Sequence, residues 1–366
     1  MITTSSTLFR YISRQFLTNL LLAMLILCGI LMLLETIEIL RRASNMQNEL
    51  PFATVLIMPL LKLPSLAERV MPMGVLFAAI YTCWKLNKTS ELVVIRSFGI
   101  SAWQFLTPLV LCAVLVGVAS TTVINPISSV FLAKRIQMEN VYFLSNTNLT
   151  TVSKTGIWLR QPTPEGYALV HAATLNRTDW QLNDIIALFF DNDDNFLKRY
   201  DGPIANLEDG FWAIRDATVN DKAGTTTKNV SLRLPTELTA QKIEESFSDP
   251  ETTPFWSIPE YIKIMEDTGL PTIRLYLHFN RLLAQPLLYA AMILLAAALS
   301  LRPPRMGGVA FMTGLSIAVG FSMFFLQSLL EAFGLSQKIP IYLAAWSPSL
   351  IGLLLGGTAL LHLEDG

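Results

Sequence analysis

The sequence predicts a membrane α-helical fold with six transmembrane helices, three before and three after an inserted domain rich in β-strands. Three observations support this prediction: the composition, six long apolar runs, and a polar region between the third and fourth runs. Of the 366 residues, 52% are hydrophobic and only 15% are charged, and the mean hydropathy is +0.46. Such a chain is too apolar for an ordinary soluble globular protein.

Each predicted span is a run of roughly 20 apolar residues, enough to cross a hydrocarbon core about 30 Å thick. The first run follows Arg10 and Arg14 as in a signal peptide, but it is longer than the apolar core of such peptides and lacks a cleavage site, so we expect an uncleaved anchor. The second begins between Ala53 and Leu66, where prolines blur the boundary. The predicted spans are Phe16–Leu34, a run ending near Trp84, Ala102–Ile124, Leu275–Leu301, Val309–Phe333 and Ile341–Leu361.

Lysine and arginine residues near the span ends predict the orientation, because cytoplasmic loops are enriched in these residues. Both termini are therefore expected in the cytoplasm, and the polar region outside it. The larger basic set comprises Arg10, Arg14, Lys85, Lys88, Arg96, Arg302 and Arg305, and the smaller set Arg41, Arg42 and Lys338.

The pattern divides the chain into residues 1–124 with spans one to three, residues 125–272 with the inserted domain, and residues 273–366 with spans four to six. Residues Ser128–Leu144 are predicted to continue the third span outward as a helix. Ser257-Ile-Pro-Glu260 has the residues of a capping box and predicts a short helix leading back to the membrane.

Between these helices, short runs bounded by turn residues predict a sandwich, a jelly roll or a partly open barrel. The candidate strands are Thr151–Leu159, Tyr167–Leu175, Asp184–Phe190, Phe196–Tyr200, Phe211–Asn220 and Asn229–Leu234.

Several functional classes find no support in the sequence. The net charge of −1 and the absence of a long basic block give no sign of nucleic-acid binding. The three cysteines lie in or beside apolar runs, and the three histidines are too far apart for a zinc-protease motif. No phosphate-binding loop is present, so we expect no ATP hydrolysis by this chain. We also expect it to hold no metal and no cofactor. Asp191–Asn195 begins like a calcium loop, but Phe196 and Gly202 occupy positions that need Gly and Glu, which favours a hairpin turn.

Charged residues crowd the end of the first span and the start of the second. If the first helix continues, Glu35, Glu38 and Arg42 share a face and Arg41 lies beside it. One interpretation is a solvated helix end with internal ion pairs. The alternative is that Arg41, Arg42 and Lys62 surround an opening in the outer leaflet and attract the phosphate groups of an anionic lipid.

Residues 88–101 form a charged interruption between the second and third spans and are predicted to contain a cytoplasmic helix. Ser90 is placed to cap it, and Gly99 is placed to end it. Apolar residues recur at roughly helical spacing. These residues are Leu92, Ile95 and Phe98, with Val94 beside them.

Periodicity leaves two interpretations of this helix open. It could lie on the membrane surface, or it could dock into a groove of a partner protein. In the docking case Glu91 and Arg96 make polar contacts at the rim of the groove.

The segment Ser90-Glu-Leu-Val-Val-Ile-Arg-Ser-Phe-Gly-Ile-Ser101 resembles the coupling-helix motif of the lipopolysaccharide export permeases (LptF/LptG), with a surrounding pattern more similar to the LptG type than to the LptF type. The resemblance extends along nearly the whole chain in matching order. Further matches are Arg10-Tyr11-Ile12, Phe16, Arg41-Arg42, Gln285-Pro286 and Pro304-Arg305-Met306-Gly307.

The resemblance implies a bacterial inner-membrane permease with six spans and a periplasmic β-jellyroll-like domain. Implied partners are a second, LptF-like permease chain, an LptB-like ATPase dimer that carries ATP and Mg, and LptC/LptA-like proteins that form a periplasmic bridge. The implied cargo is lipopolysaccharide, taken from the inner membrane and passed to that bridge.

The resemblance also implies roles for individual residues. Arg41 and Arg42 match basic positions near the lateral lipid entrance, and Lys62 is assigned to the same site. Glu91 matches the acid that contacts the ATPase groove, whereas residues 96–98 depart from the familiar motif. The implied coupling residues are Glu91, Leu92, Ile95, Arg96, Phe98 and Gly99.

Two rival functions come from other classes. An ion-coupled secondary transporter should carry paired carboxylates near the middle of the bilayer, whereas acids such as Glu68 are expected here only at span ends. A membrane-anchored sensor or scaffold would use the outer β domain for partner binding alone.

Overall fold

The computed structural model describes residues 6–44, 51–143, 150–153, 156–163, 166–176, 180–191, 194–208, 210–221, 225–236, 250–267, 271–300 and 309–364. The chain divides into two compact units. The first contains Met1–Ile136, Glu251–Trp256 and Leu277–Gly366, and the second contains Gln137–Pro250 and Ser257–Tyr276.

Nine α-helices occur in the described residues. Six helical segments, with α4 and α5 taken together as one, are long and apolar enough to cross a membrane. The helices are α1 (Ser6–Ser44), α2 (Phe52–Lys88), α3 (Glu91–Ser97), α4 (Ala102–Ala119), α5 (Asn125–Phe143), α6 (Ile258–Asp267), α7 (Ile273–Ser300), α8 (Val309–Leu335) and α9 (Ile341–Glu364).

The third span and the helix after it are continuous, as predicted. A single π-helical segment, Ser120–Ile124, joins α4 to α5. A π-helical turn widens the backbone locally and is frequent at functional sites. The predicted outward helix is confirmed as far as Phe143, and Leu144 lies outside the described residues.

The core of the first unit lies where α1, α2, α4 and α7 meet. Large side chains that are fully buried there include Phe16 on α1, Leu76 on α2, Phe105 on α4 and Tyr289 on α7. Most other apolar residues of α1 and α8 face outward. An outward apolar surface is the arrangement expected of helices that contact lipid or other spans.

The second unit contains one antiparallel sheet whose strands neighbour one another in chain order. Strands β2 and β7 approach each other, so the sheet curls. The strands are β1 (Thr150–Ser153), β2 (Gly156–Thr163), β3 (Gly166–Asn176), β4 (Gln181–Asp191), β5 (Phe196–Glu208), β6 (Phe211–Asp221) and β7 (Thr226–Pro235).

One strand prediction is wrong. The predicted strand Thr151–Leu159 is split into β1 and β2, which pair with each other from Thr150 opposite Leu159 to Ser153 opposite Gly156. Both strands contain apolar and β-branched residues, which form a single run in the sequence. The remaining candidate strands are present and longer than predicted.

Alternate residues of the strands face a buried apolar interior, which contains Leu159, Val170, Ile185, Ile214 and Leu234. The short helix α6 begins directly after Ser257, as the Ser-Ile-Pro-Glu pattern predicts. The fold class, six transmembrane helices with a β-jellyroll-like domain inserted in the chain between the third and the fourth, is thus confirmed.

Candidate functional site

The connection between α2 and α4 contains the helix that the sequence predicts. Its start differs from the prediction, because Ser90 has φ +59° and its side chain makes no capping hydrogen bond. Glu91 fixes this end instead: its carboxylate accepts a hydrogen bond from the Tyr11 hydroxyl (2.9 Å) and another from the Thr89 hydroxyl (2.8 Å). Gly99, with φ +76°, ends the segment as predicted.

The apolar residues of α3 divide into two sets. Leu92 and Ile95 are only 5% and 8% exposed and belong to the core of the first unit. Val93, Val94 and Phe98 are 62%, 53% and 75% exposed. The helix is therefore anchored on one face and presents a separate apolar face to its surroundings.

The next helix begins with a capping box that sequence reasoning missed. The Ser101 hydroxyl accepts a hydrogen bond from the Gln104 backbone N–H, and the Gln104 side chain accepts one from the Ser101 N–H, both at 3.2 Å. Ser-x-x-Gln before an apolar run is the sequence signal for this motif. The connection is consequently fixed at both ends.

The charged end of α1 forms two separate groups. Glu38 accepts hydrogen bonds from Arg41 and Arg42, each at 3.0 Å. The side chains of these arginines are 72% and 49% exposed, so this part of the surface has the internal ion pairs of a solvated helix end. Lys62 lies elsewhere, on α2, at 2.8 Å from Glu35.

Glu35 joins three helices and has a partner that the sequence did not reveal. Its second oxygen lies 2.6 Å from the Arg135 guanidinium of α5. The three side chains of this group, Lys62, Glu35 and Arg135, are 25%, 13% and 11% exposed. One carboxylate thus bridges two cationic side chains at a mostly buried position.

A further polar group lies within the first unit, around Glu68 of α2. Glu68 is about 24 Å from the start of α2, at 1.5 Å per residue. It accepts a hydrogen bond from the Asn125 amide at 3.0 Å. Glu68 and Asn125 line a cavity of about 300 Å³, which His278, Arg281 and Glu331 also line.

No three His, Cys, Asp or Glu side chains are arranged to hold a metal ion in the part of the chain that the structure describes. The calcium-loop pattern lies between β4, which ends at Asp191, and β5, which begins at Phe196. These strands are antiparallel neighbours. The segment is therefore the hairpin connection predicted, although Asn192 and Asp193 lie outside the described residues.

Comparison with known proteins identifies the family. The family model "Lipopolysaccharide export system permease LptF/LptG" matches residues 10–362. The chain is 24% identical over 361 residues to the lipopolysaccharide export system permease protein LptG of Haemophilus influenzae, covering 94% of this chain and 96% of that protein. It is also 24% identical over 356 residues to the LptG protein of Escherichia coli strain K12, covering 93% and 94%. The chain belongs to the LptF/LptG family of lipopolysaccharide export permeases.

Proposed function

We propose that this chain is the permease subunit of an ABC transporter that extracts lipopolysaccharide from the inner membrane and passes it to a periplasmic bridge. The family makes it a multi-pass inner-membrane transport permease. The observation that carries the finer proposal is the exposed apolar face of α3, formed by Val93, Val94 and Phe98. We call these three residues the docking face.

The docking face is suited to transmitting force because the helix behind it is held firmly. Leu92 and Ile95 pack into the same core as Phe16 of α1 and Leu86 of α2. A partner that moves α3 therefore moves those helices with it. Exposed valine and phenylalanine side chains on a short charged connection are the kind of surface that a hydrophobic groove buries.

The partner in this proposal is an LptB-like ATPase dimer, which carries the ATP and Mg. The sequence has no phosphate-binding loop of its own. Because the number of spans is even, both termini lie on the same side of the membrane. The distribution of basic residues near the span ends favours the cytoplasm as that side. The β-jellyroll-like domain is then periplasmic, where it meets LptC/LptA-like bridge proteins, and a second, LptF-like chain completes the permease.

We propose separate roles for the predicted coupling residues, based on their exposure and contacts. Leu92 and Ile95 anchor α3, Gly99 ends it, and Phe98 enters the partner's groove. Glu91 orients the helix through Tyr11, and the exposed Arg96 lies at the rim of the docking face.

We further propose that Arg41 and Arg42 contact the phosphate groups of the lipid at its lateral entrance. Both guanidinium groups form ion pairs with the Glu38 carboxylate, and both are exposed enough to contact a lipid phosphate at the same time. Lys62 contributes positive potential from its site beside Glu35 and Arg135. Phosphate binds arginine well because the guanidinium group donates two parallel hydrogen bonds.

In the proposed cycle, ATP-driven closure of the partner moves α3 and rotates the attached spans, which collapses the lipid cavity between the two permease chains. The lipid is expelled toward the β domain. The apolar interior of this domain, lined by residues such as Val170 and Ile214, can shield acyl chains. Such shielding matters because exposing each buried methylene group costs about 0.8 kcal/mol.

The test of the docking face is Phe98→Ala in the full transporter. Because this side chain is exposed, we expect the variant to keep its thermal stability and to lose co-purifying ATPase. Tyr342→Ala is the matched control, since Tyr342 is also a largely exposed aromatic residue, at the start of α9. Normal ATPase binding and export by Phe98→Ala would show that α3 is not the docking site.

The lipid entrance has a separate test. Replacing Arg41 and Arg42 with Glu reverses the charge facing the lipid, so we expect reduced photocrosslinking of lipopolysaccharide with unchanged ATPase binding. Glu266→Lys, a charge reversal on the exposed surface of α6, is the control. Unaltered lipid loading in the double variant would contradict the assignment.

A further inference from the structure

The cavity inside the first unit has a charged end and an apolar end. It has a volume of about 300 Å³ and is lined by residues of α2, α5, α7, α8 and α9 together with Glu251. Along α7, its lining residues change from His278 and Arg281 to Leu288 and Met292. This stretch is about 21 Å long at 1.5 Å per residue.

Two other helices show the same change in the same direction. On α2 the lining runs from Glu68 to Met73, and on α8 it runs from Glu331 back to Phe324. Successive spans alternate in direction, so α2 and α7 run parallel and α8 runs opposite to them. The charged residues of all three helices therefore lie at one end of the cavity, and the apolar residues at the other.

The charged end carries one negative charge that no guanidinium group pairs with directly. Arg69 donates to both oxygens of Glu251, at 2.8 and 3.1 Å. Arg281 donates to Glu331 at 3.3 Å. Glu68 is the third acid of the lining; among the described residues it forms no ion pair and takes its hydrogen bonds from neutral groups such as the Asn125 amide. This carboxylate is a site for a cationic group.

The same end also offers a buried donor. The guanidinium of Arg281 lies 3.3 Å from Nδ1 of His278. Because guanidinium only donates hydrogen bonds, Nδ1 is the acceptor and Nε2 carries the proton of the neutral ring. His278 is 6% exposed, and its Nε2 has no hydrogen-bond partner among the residues that the structure describes. A buried N–H group beside a guanidinium is a site for an anionic oxygen.

We propose that this cavity binds a membrane phospholipid with a zwitterionic, ammonium-bearing headgroup. The ammonium group lies at Glu68, the phosphate accepts hydrogen bonds from His278 and Arg281, and part of one acyl chain extends toward Met292. A volume of about 300 Å³ is at the lower limit for a ligand pocket, so it takes a headgroup and part of one chain. The bound lipid is a resident of this permease chain and differs from the exported cargo, so the inference does not depend on the proposed function.

The test is native mass spectrometry of the full transporter, purified in mild detergent and titrated with phosphatidylethanolamine or phosphatidylglycerol. We expect the wild type to bind phosphatidylethanolamine more tightly. Glu68→Gln keeps the side-chain volume and removes the charge, so phosphatidylethanolamine should bind about tenfold more weakly, as expected for the loss of one charge-assisted hydrogen bond, while phosphatidylglycerol binding is unchanged. The control is Glu266→Gln, outside the cavity.

A second variant keeps the proposal testable if Glu68→Gln does not fold. His278→Phe retains a ring of similar size and removes the donor, so both phospholipids should bind more weakly. Equal binding of the two phospholipids by the wild type, or wild-type affinity in a folded Glu68→Gln protein, would overturn the proposal. The proposal would also be overturned if lipopolysaccharide were the ligand that the Glu68→Gln protein no longer binds. The cavity would then be a binding site for the cargo. None of these measurements depends on ATPase binding or export.

Discussion

A close helix contact in the first unit provides a sharp prediction. A Cβ atom placed on Gly117 of α4 would lie 2.5 Å from Cα of Pro286 on α7, and 3.1 Å from the Cβ and N atoms of the same residue. Carbon atoms pack at about 3.5–4.0 Å, so Gly117→Ala must separate the two helices by about 1 Å. Small residues at such contacts let membrane helices approach closely.

Two opposing effects determine the size of the change. Overpacking a tight contact costs about 1–3 kcal/mol. Alanine is favoured over glycine inside a helix by about 1 kcal/mol. The clash involves backbone atoms, which cannot move aside like the end of a flexible side chain, so we expect Gly117→Ala to lower the free energy of unfolding by up to about 2 kcal/mol.

The assay is thermal unfolding of the purified transporter, compared with Gly29→Ala on α1. Nothing lies within 4 Å of a Cβ placed on Gly29, so this control receives the helix-propensity gain without a clash. We expect the melting temperature of Gly117→Ala to be several degrees below that of the control. A Gly117→Ala protein as stable as Gly29→Ala would refute the claim that α4 and α7 are held in close contact at this glycine.

Two further substitutions test other contacts. Glu35→Gln leaves Lys62 and Arg135 without their shared carboxylate, so the free energy of unfolding should fall by about 1–3 kcal/mol. The control is Glu38→Gln, which affects only exposed ion pairs and should leave the melting temperature unchanged. In the β domain, Gly166 has φ +152° and an added Cβ would overlap the Phe190 carbonyl oxygen, so Gly166→Ala should increase cleavage of this domain in limited proteolysis. A normal melting temperature for Glu35→Gln, or normal protease resistance for Gly166→Ala, would contradict these contacts.

The sequence predicts the helices well because each span is a local property of the chain. Apolar length alone identifies six spans, and turn residues mark most strands. Apolar length does not give the ends of the helices that contain these spans. The first span was predicted as Phe16–Leu34, whereas α1 covers Ser6–Ser44, because a helix can continue with polar residues after its apolar run ends.

The candidate site was only partly predictable because its contacts join residues far apart in the chain. Glu35 and Arg135 are 100 positions apart, and no local pattern indicates their pairing. The periodicity of α3 identified its apolar residues but could not show that Leu92 and Ile95 are buried within the permease chain. That division depends on where α1 and α2 pack.

The helix α2 links these separate features, and its prolines determine how it responds to movement of α3. Pro59, Pro64 and Pro72 each remove a backbone hydrogen bond in the part of α2 that carries Lys62 and Glu68. The remaining part, from Val75 to Leu86, has no proline, and its buried residues belong to the core that also holds Leu92 and Ile95. In the proposed function, we therefore expect a displacement of α3 to be transmitted rigidly through this last part and bending to concentrate in the proline-containing part. Lys62, which pairs with Glu35, and the α2 residues that line the polar cavity all lie in or directly beside this proline-containing part.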